Sequence, residues 1–348
     1  MLIALINDSH WGARGDSEKF LNYFSRFYQN IFFPYLQKNN INQVIHLGDL
    51  VDKRKNISFT TANRMRKEYI IPSQEMGLQT SIIVGNHDTY FKDTNEINAL
   101  RELIMNREGF TIYSNPEYAK FDGLRTLMLP WICSENEQRS LSMIKSNSVP
   151  VVFAHLELVG FEMSKGQMME HGMDSSMFQK YKSVYTGHYH HKSSKKNIHY
   201  LGTQYEMTWI DYNDPKGFHI LDTETLKLTF VPNPERIHIA LQYNEEVDPN
   251  LNEDCSGKII KLVVKKKTDE KKLDAFVKKL QNNLDVELKI VDEHLNFETP
   301  DIKNIKLENL EDTLKIVTDY ANSLDVDVDK KKMISLLSDL YKEAQELR

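Results

Sequence analysis

The chain has 348 residues, a formal charge of −6, 40% hydrophobic and 27% charged residues, and two cysteines. That length accommodates two or three domains around a substantial core, and the negative charge excludes a globally basic coat for nucleic acid, leaving local patches or a partner for any such contact. Cys133 and Cys255 form neither a disulfide framework nor a zinc spacing, which points to a reducing, cytoplasmic compartment.

No run approaches the roughly 20 apolar residues that span a bilayer, so no membrane contact is expected. With a strand beginning at Leu2 and a candidate ligand at Asp8, no signal peptide is expected. Leu2 to Ile6 is short, apolar and β-branched, as buried strands are, and ends at Asp8-Ser9-His10. Ser17 to Asn40 carries Phe20, Phe24, Phe27, Ile31 and Tyr35 at helical spacing. Val44 to Leu47 is again strand-like and runs into Gly48-Asp49. A second helix near Thr60 to Glu75 stops by Gly77, and Ser81 to Val84 delivers Gly85-Asn86-His87-Asp88. This alternation predicts right-handed crossovers in a partly parallel sheet.

Phe121-Asp122-Gly123-Leu124 reads as a hairpin turn, so an antiparallel portion is expected too. Val151 to Ala154 leads to His155, and Val184 to Thr186 leads to Gly187-His188-Tyr189-His190. Strand and turn continue from His199 to Val231, and Pro232-Asn233-Pro234 closes a first unit of residues 1–235.

Residues 236–298 form a second unit: Lys258 to Lys267 as strand, Glu270 to Asn283 as helix, Val286 to Val291 as strand. Nine lysines between Lys258 and Lys279 face only Asp269, Glu270 and Asp274. Lys258, Lys261, Lys265, Lys266 and Lys267, with Arg54 of the first unit, are the candidates for following a phosphate backbone. The alternative is a solvated helix face and a charged strand that resists aggregation. In residues 299–348, Leu310, Leu314, Val317, Ala321 and Leu324, then Met333, Leu337, Leu340, Ala344 and Leu347, step by fours and threes around an Asp-rich turn. They predict a helical hairpin, either docked on its own domain or gripping another protein's helices.

The chemistry lies in the clusters beyond the strands, where open α/β sheets gather their functional groups. Gly-Asp alone usually marks a turn, and a lone histidine such as His155 is usually a packing residue. Gly85-Asn86-His87-Asp88 is more specific: the glycine permits a sharp turn, the asparagine offers a neutral oxygen, and the histidine can act as an acid. Asp8, His10, Asp49, Asn86, His155, His188 and His190 together supply seven oxygen and imidazole donors without a thiolate, a set suited to two divalent ions.

This order of clusters resembles that of calcineurin-like metallophosphoesterases. More narrowly, Gly48-Asp49-Leu50-Val51-Asp52, Leu129-Pro130-Trp131, Tyr200-Leu201-Gly202-Thr203 and Lys216-Gly217-Phe218 resemble SbcD-type nuclease subunits of double-strand-break repair, especially the recombination endonuclease subunits of T-even-type phages. The resemblance implies an α/β (α+β) four-layer sandwich with mixed sheets, a small α/β cap and a C-terminal helical hairpin.

It implies a two-metal DNA exonuclease and endonuclease, with Asp8, His10, Asp49 and His190 on one ion, Asp49, Asn86, His155 and His188 on the other, and Mn²⁺ as the working metal. His87 would protonate the leaving oxygen or stabilise the transition state, with Asp88 orienting it. The hairpin would bind a coiled-coil ABC-type ATPase of SbcC type, which alone would bind ATP, in a heterotetramer built on a homodimer of this chain. If phage-encoded, it would act in the bacterial cytoplasm. Two departures stand out: Asp52 occupies a position where some relatives have histidine, and His191 lengthens the last cluster as a spare surface residue.

A metal-dependent phosphatase or small-nucleotide phosphodiesterase would use the same donors. The serine/threonine phosphatase pattern, Gly-Asp-x-x-Asp-Arg-Gly with Gly-Asn-His-Glu, is broken here by Lys53 and by Asp88 in place of glutamate. A non-catalytic DNA-end scaffold is disfavoured by the complete donor set.

Overall fold

The computed structural model describes residues 1–146, 148–245, 255–284 and 286–292, together with 330, 332–334 and 336. They divide into two compact units. One comprises Met1–Met207 and Asn213–Arg236; the other comprises Thr208–Tyr212 and the chain from Ile237 onward.

The first unit is built on two six-stranded mixed sheets. In one, the order is Leu228–Pro232, Gly217–Asp222, Leu2–Ile6, Gln43–His46, Gln79–Ile83, Phe110–Tyr113. The four strands from Leu2–Ile6 to Phe110–Tyr113 run parallel, and Gly217–Asp222 joins antiparallel to the first, with Ile3 opposite Leu221. The other sheet has the order Ser193–Lys195, Ile198–Tyr200, Ser183–Gly187, Val151–His155, Leu124–Leu129, Glu117–Phe121. Its last pair is the hairpin expected at Asp122-Gly123.

Alternation of side chains gives each sheet two apolar faces. Ile3, Leu5, Ile45 and Leu47 of the first sheet pack with Met128, Val151, Phe153 and Tyr185 of the second in one buried core. The second sheet's far face, carrying Leu127, Val152 and Val184, packs with Ile144 of the helix Glu137–Ser146 and with Phe178. Beyond the first sheet, Phe24, Phe27, Tyr28 and Phe32 are fully buried, and Phe32 meets Phe218 at 5.1 Å between ring centroids. Each such ring contributes roughly 1.5–3 kcal/mol by leaving water. The result is the expected layered α/β sandwich.

The two long helices of this unit depart from regular α geometry in the same way. Glu18–Phe27 passes through a wide turn, Tyr28–Phe32, into Phe33–Lys38; Phe59–Met65 passes through Arg66–Ile70 into Ile71–Glu75. In each, the N–H closing the wide turn reaches back five residues, from Phe33 to Tyr28 and from Ile71 to Arg66. A proline follows at once, Pro34 and Pro72. Proline has no N–H and clashes with the carbonyl four residues earlier, and the wide turn lets the helix continue past it.

In the second unit, His238–Asn244, Ile259–Lys266 and Glu287–Asp292 form a parallel three-stranded sheet, with the helix Glu270–Leu284 supplying Leu273, Phe276 and Leu280 to its core. Lys261 departs from the DNA-binding expectation. It lies on the central strand, is buried, and its ammonium sits 4.2 Å from the centre of the Trp209 ring, so it does not face solvent. Lys265 and Lys266 are exposed, Lys258 and Lys267 half-buried, and Lys267 pairs with Glu270 at 3.4 Å. Of the proposed hairpin positions, Met333 is half-buried, whereas Leu310, Leu314, Val317, Leu324, Leu337 and Leu340 lie outside the described residues. Among the described residues, no helix is long and apolar enough to cross a membrane.

Candidate metal centre

The parallel strands of both sheets end at one place, and the seven donors expected from the sequence meet there. Asp8, His10 and His190 bring one ligand atom each within 4.8 Å of one another, as do Asp49, His155 and His188, and likewise His10, Asp49 and His87. Asp49 stands in two of these groups. The backbone is bent hard to achieve this: Asp8, His10, Asp49 and His188 have φ of 48°, 43°, 56° and 87°. That left-handed region costs a non-glycine residue on the order of 1 kcal/mol, and the surrounding packing holds it.

Two glycines make the convergence possible by close approach. A Cβ on Gly85 would lie 2.2 Å from Asp49 Oδ1, and one on Gly48, itself at φ +93°, would lie 2.4 Å from His155 Nδ1.

Backbone groups aim the donors. His155 Nδ1 donates to the Leu47 carbonyl at 2.7 Å, which leaves Nε2 as the lone-pair nitrogen. That nitrogen faces Asn86 Oδ1 at 2.9 Å, and His188 Nδ1 faces the same oxygen at 3.0 Å. Two hydrogen-bond acceptors cannot satisfy each other across 2.9 Å; a proton or a cation must lie between them. His10 Nε2 and His190 Nε2 lie 3.2 Å apart, close enough for one ring to donate to the other or for both to face a common cation. Burial lowers the pKa of His155, but the Asp49 charge and hydrogen bond outweigh it and lift it to about 9. This is an electrostatic environment that draws cations, and the mixed carboxylate, amide and imidazole donors fit divalent metal. The Trp131 ring lies 5.3 Å from His188 and 6.0 Å from His155, giving the Leu-Pro-Trp segment its place beside the donors.

Asp88 does not orient His87. Its carboxylate is fully buried and accepts the backbone N–H groups of Gly85, Asp49 and Leu50 at 2.9 Å and of Val51 at 3.2 Å, clamping the two ligand-bearing turns together. Burial and the nearby Asp49 charge push its pKa up, and the N–H donors pull against both. His87 instead places Nδ1 2.5 Å from the Asp52 carbonyl oxygen, while its N–H donates to Asp49 Oδ1 at 2.8 Å.

Several residues support the donors in ways the sequence did not reveal. The Asp52 carboxylate, at the position that departs from some relatives, holds His10 Nδ1 at 3.3 Å. Burial would lower the His10 pKa, but the bond to Asp52 and the charges of Asp49, Asp52 and Asp8 raise it to about 9. Behind Asp8 and His10, Ser9 Oγ is shared by Tyr28, His46 Nε2 at 2.7 Å and Gln204. Burial pushes His46 down to about 3, so it sits there neutral. Lys216, buried with Asp214 at 2.9 Å, donates to the His190 carbonyl at 2.8 Å. His191 is no spare surface residue: it is held between Glu162 at 3.3 Å and Asp214 at 3.0 Å.

A family model described as calcineurin-like phosphoesterase matches residues 1–192. Exonuclease subunit 1 of Enterobacteria phage T4 is 31% identical over 349 residues, 99% of each chain. Among solved structures, an archaeal phosphodiesterase is 14% identical, covers 67% of this chain and 100% of its own, and gives a TM-score of 0.33. A calcineurin-like phosphoesterase of Bacillus subtilis is 12% identical, covers 67% of this chain and 88% of its own, and gives a TM-score of 0.34.

Proposed function

The chain belongs to the calcineurin-like phosphoesterase family and is a phosphodiester hydrolase, and from that premise we propose that its substrate is DNA, cleaved as exonuclease and endonuclease during end processing for recombination and double-strand-break repair. The observation that carries the proposal is the convergence of carboxylate and imidazole groups, Asp8 with His10 and His190 and Asp49 with His155 and His188, beside the Asn86 amide oxygen, at the strand ends of a chain similar along its length to a phage exonuclease subunit. Asp8, His10, Asp49 and His190 would hold one divalent ion and Asp49, Asn86, His155 and His188 a second, with manganese as the working metal. Ions bound there supply Lewis-acid polarisation of the phosphodiester and an activated water at neutral pH.

The chain's own residues do the rest. Asp52 and the Leu47 carbonyl fix the rings of His10 and His155, as partners behind ligands do. Asp88 fixes the turn that carries Asp49. With its Nδ1 held by the Asp52 carbonyl, His87 would give a proton from Nε2 to the leaving oxygen.

The similar phage protein is named a subunit, which favours a partner. The partner we propose is a coiled-coil ABC-type ATPase of SbcC type, bound by the helical hairpin of residues 299–348. ATP would reside on that partner, two copies of this chain would pair in the assembly, and the place of action would be the bacterial cytoplasm. Residues 1–235 would be the nuclease domain, and residues 236–298 a cap in which Lys258, Lys265, Lys266 and Lys267, with Arg54 of the nuclease domain, contact DNA.

The test is hydrolysis of linear duplex DNA, a phosphopeptide and a cyclic nucleotide by the full chain, with Mn²⁺ and with chelator, alone and with the ATPase. Metal-dependent loss of DNA ends supports the proposal. Preference for either of the other substrates sinks it, and undiminished co-purification with the ATPase after truncation at residue 300 sinks the docking role of the hairpin.

A further inference from the structure

Beyond the last of the donors, His190, the outer two strands of each large sheet line a cavity of about 340 Å³, Lys192 to Leu201 contributing from one side and His219, Leu228 and Phe230 from the other. That volume falls in the range of small-molecule sites. Its lining contains an ammonium, two imidazoles and hydroxyls, but no carboxylate, in a chain whose acids outnumber its bases, 50 to 44. The Lys192 ammonium lies 3.8 Å from the centre of the Phe230 ring and forms no ion pair with any described residue. His219, 3% exposed, touches Phe230 ring to ring at 5.1 Å and makes no hydrogen bond to a described residue. Ser193 Oγ is buried without a partner.

Burial, with the positive charges of Lys192 and His199 nearby, holds the His219 pKa at about 3. The ring is therefore neutral and has a single N–H to give. Polar atoms left unpaired at about 1–3 kcal/mol each are unusual in a folded protein unless a ligand completes them. An ammonium with imidazole and hydroxyl donors and no carboxylate, beside an apolar floor of Leu228 and Phe230, suits an anion with an organic part.

We propose that this cavity binds the phosphate group of a phosphate ester, received by the Lys192 ammonium, the His219 N–H and the Ser193 hydroxyl, with Phe230 under the remainder of the ligand. The ester is either a released mononucleotide or a phosphate of a bound strand, and both present the same group to the same donors. The site stands independently of which phosphodiester the metal centre cleaves.

The test is a titration of full-length protein carrying labelled histidine, followed by NMR at His199 and His219, in chelator so that the metal centre does not compete. The probes are inorganic phosphate, a deoxynucleoside monophosphate and a short single-stranded oligonucleotide. Saturable shifts at both histidines are expected, with Lys192→Met weakening binding roughly tenfold or more through loss of a charge-assisted contact. Tighter binding of the mononucleotide identifies a product site, tighter binding of the oligonucleotide a strand site, and equal binding of all three a site for the phosphate alone. If Lys192→Met lowers the melting temperature, Ser193→Ala replaces it, with weaker binding again expected. The proposal is overturned if no probe moves the two histidines, or if the folded variant binds as the unaltered protein does.

Discussion

The Asp88 carboxylate accepts the backbone N–H of Asp49 at 2.9 Å, so the last residue of one motif sets the position of the shared ligand in another. Three further N–H groups depend on the same side chain. Asp88→Ala should therefore lower stability by about 1–3 kcal/mol or more, as buried N–H groups lose their acceptor, and weaken metal binding with it. Thermal melting and metal calorimetry check this. A variant with intact melting and metal affinity but slow turnover would return Asp88 to the role of orienting His87.

His87→Ala should separate chemistry from assembly. Its backbone N–H, which holds Asp49 Oδ1, survives the substitution; only the imidazole is lost. Metal affinity should stay within a few-fold, while turnover falls by roughly 10² to 10⁴ as a general acid is removed. Single-turnover DNA cleavage beside metal calorimetry reads both, and a normal rate disproves the assignment.

The metal-free protein should respond to pH in a defined direction. His10 and His155 are raised to about 9 in the fold, against about 6.5 in an unfolded chain. Their protonated forms stabilise the metal-free fold fully below about pH 6.5, and that contribution disappears as pH climbs through about 9. Chelated protein should thus melt progressively lower across this window, while metal affinity rises because fewer protons compete. A melting temperature independent of pH from 6.5 to 9 would contradict this.

Gly85→Ala and Gly123→Ala should behave oppositely. The added methyl of the first falls 2.2 Å from Asp49 Oδ1 and 2.4 Å from Asp49 N, neither able to retreat. Overpacking of about 1–3 kcal/mol should come with lost metal binding. At Gly123, φ is +86° but no atom lies within 4 Å of the new carbon, so the hairpin turn alone is strained and metal binding survives. Calorimetry on both variants decides.

The seven donors were legible because each follows an apolar run that had to be a strand, and strand ends share a location. Asp52, His46 and the Asp214–Lys216 pair were not, since their roles depend on contacts across the sheets. Lys216 meets His190 only because the strand Gly217–Asp222 returns beside Leu2–Ile6. Lys261 misled because a lysine count carries no information about which strand is central. The wide turns before Pro34 and Pro72 escaped for a local reason: apolar spacing continues through each proline and hides the missing N–H.

The antiparallel strand Gly217–Asp222 has a consequence for biogenesis. It covers the edge of Leu2–Ile6, and the Met1 amino group is anchored to Thr223 at 2.9 Å. On the ribosome, the strand Leu2–Ile6 must therefore wait, with a bare edge, for a partner translated some two hundred residues later. A fragment ending at residue 192 would contain every proposed ligand and still leave that edge open to pair with another molecule, so the smallest autonomous version of this enzyme is set by its sheet and not by its chemistry.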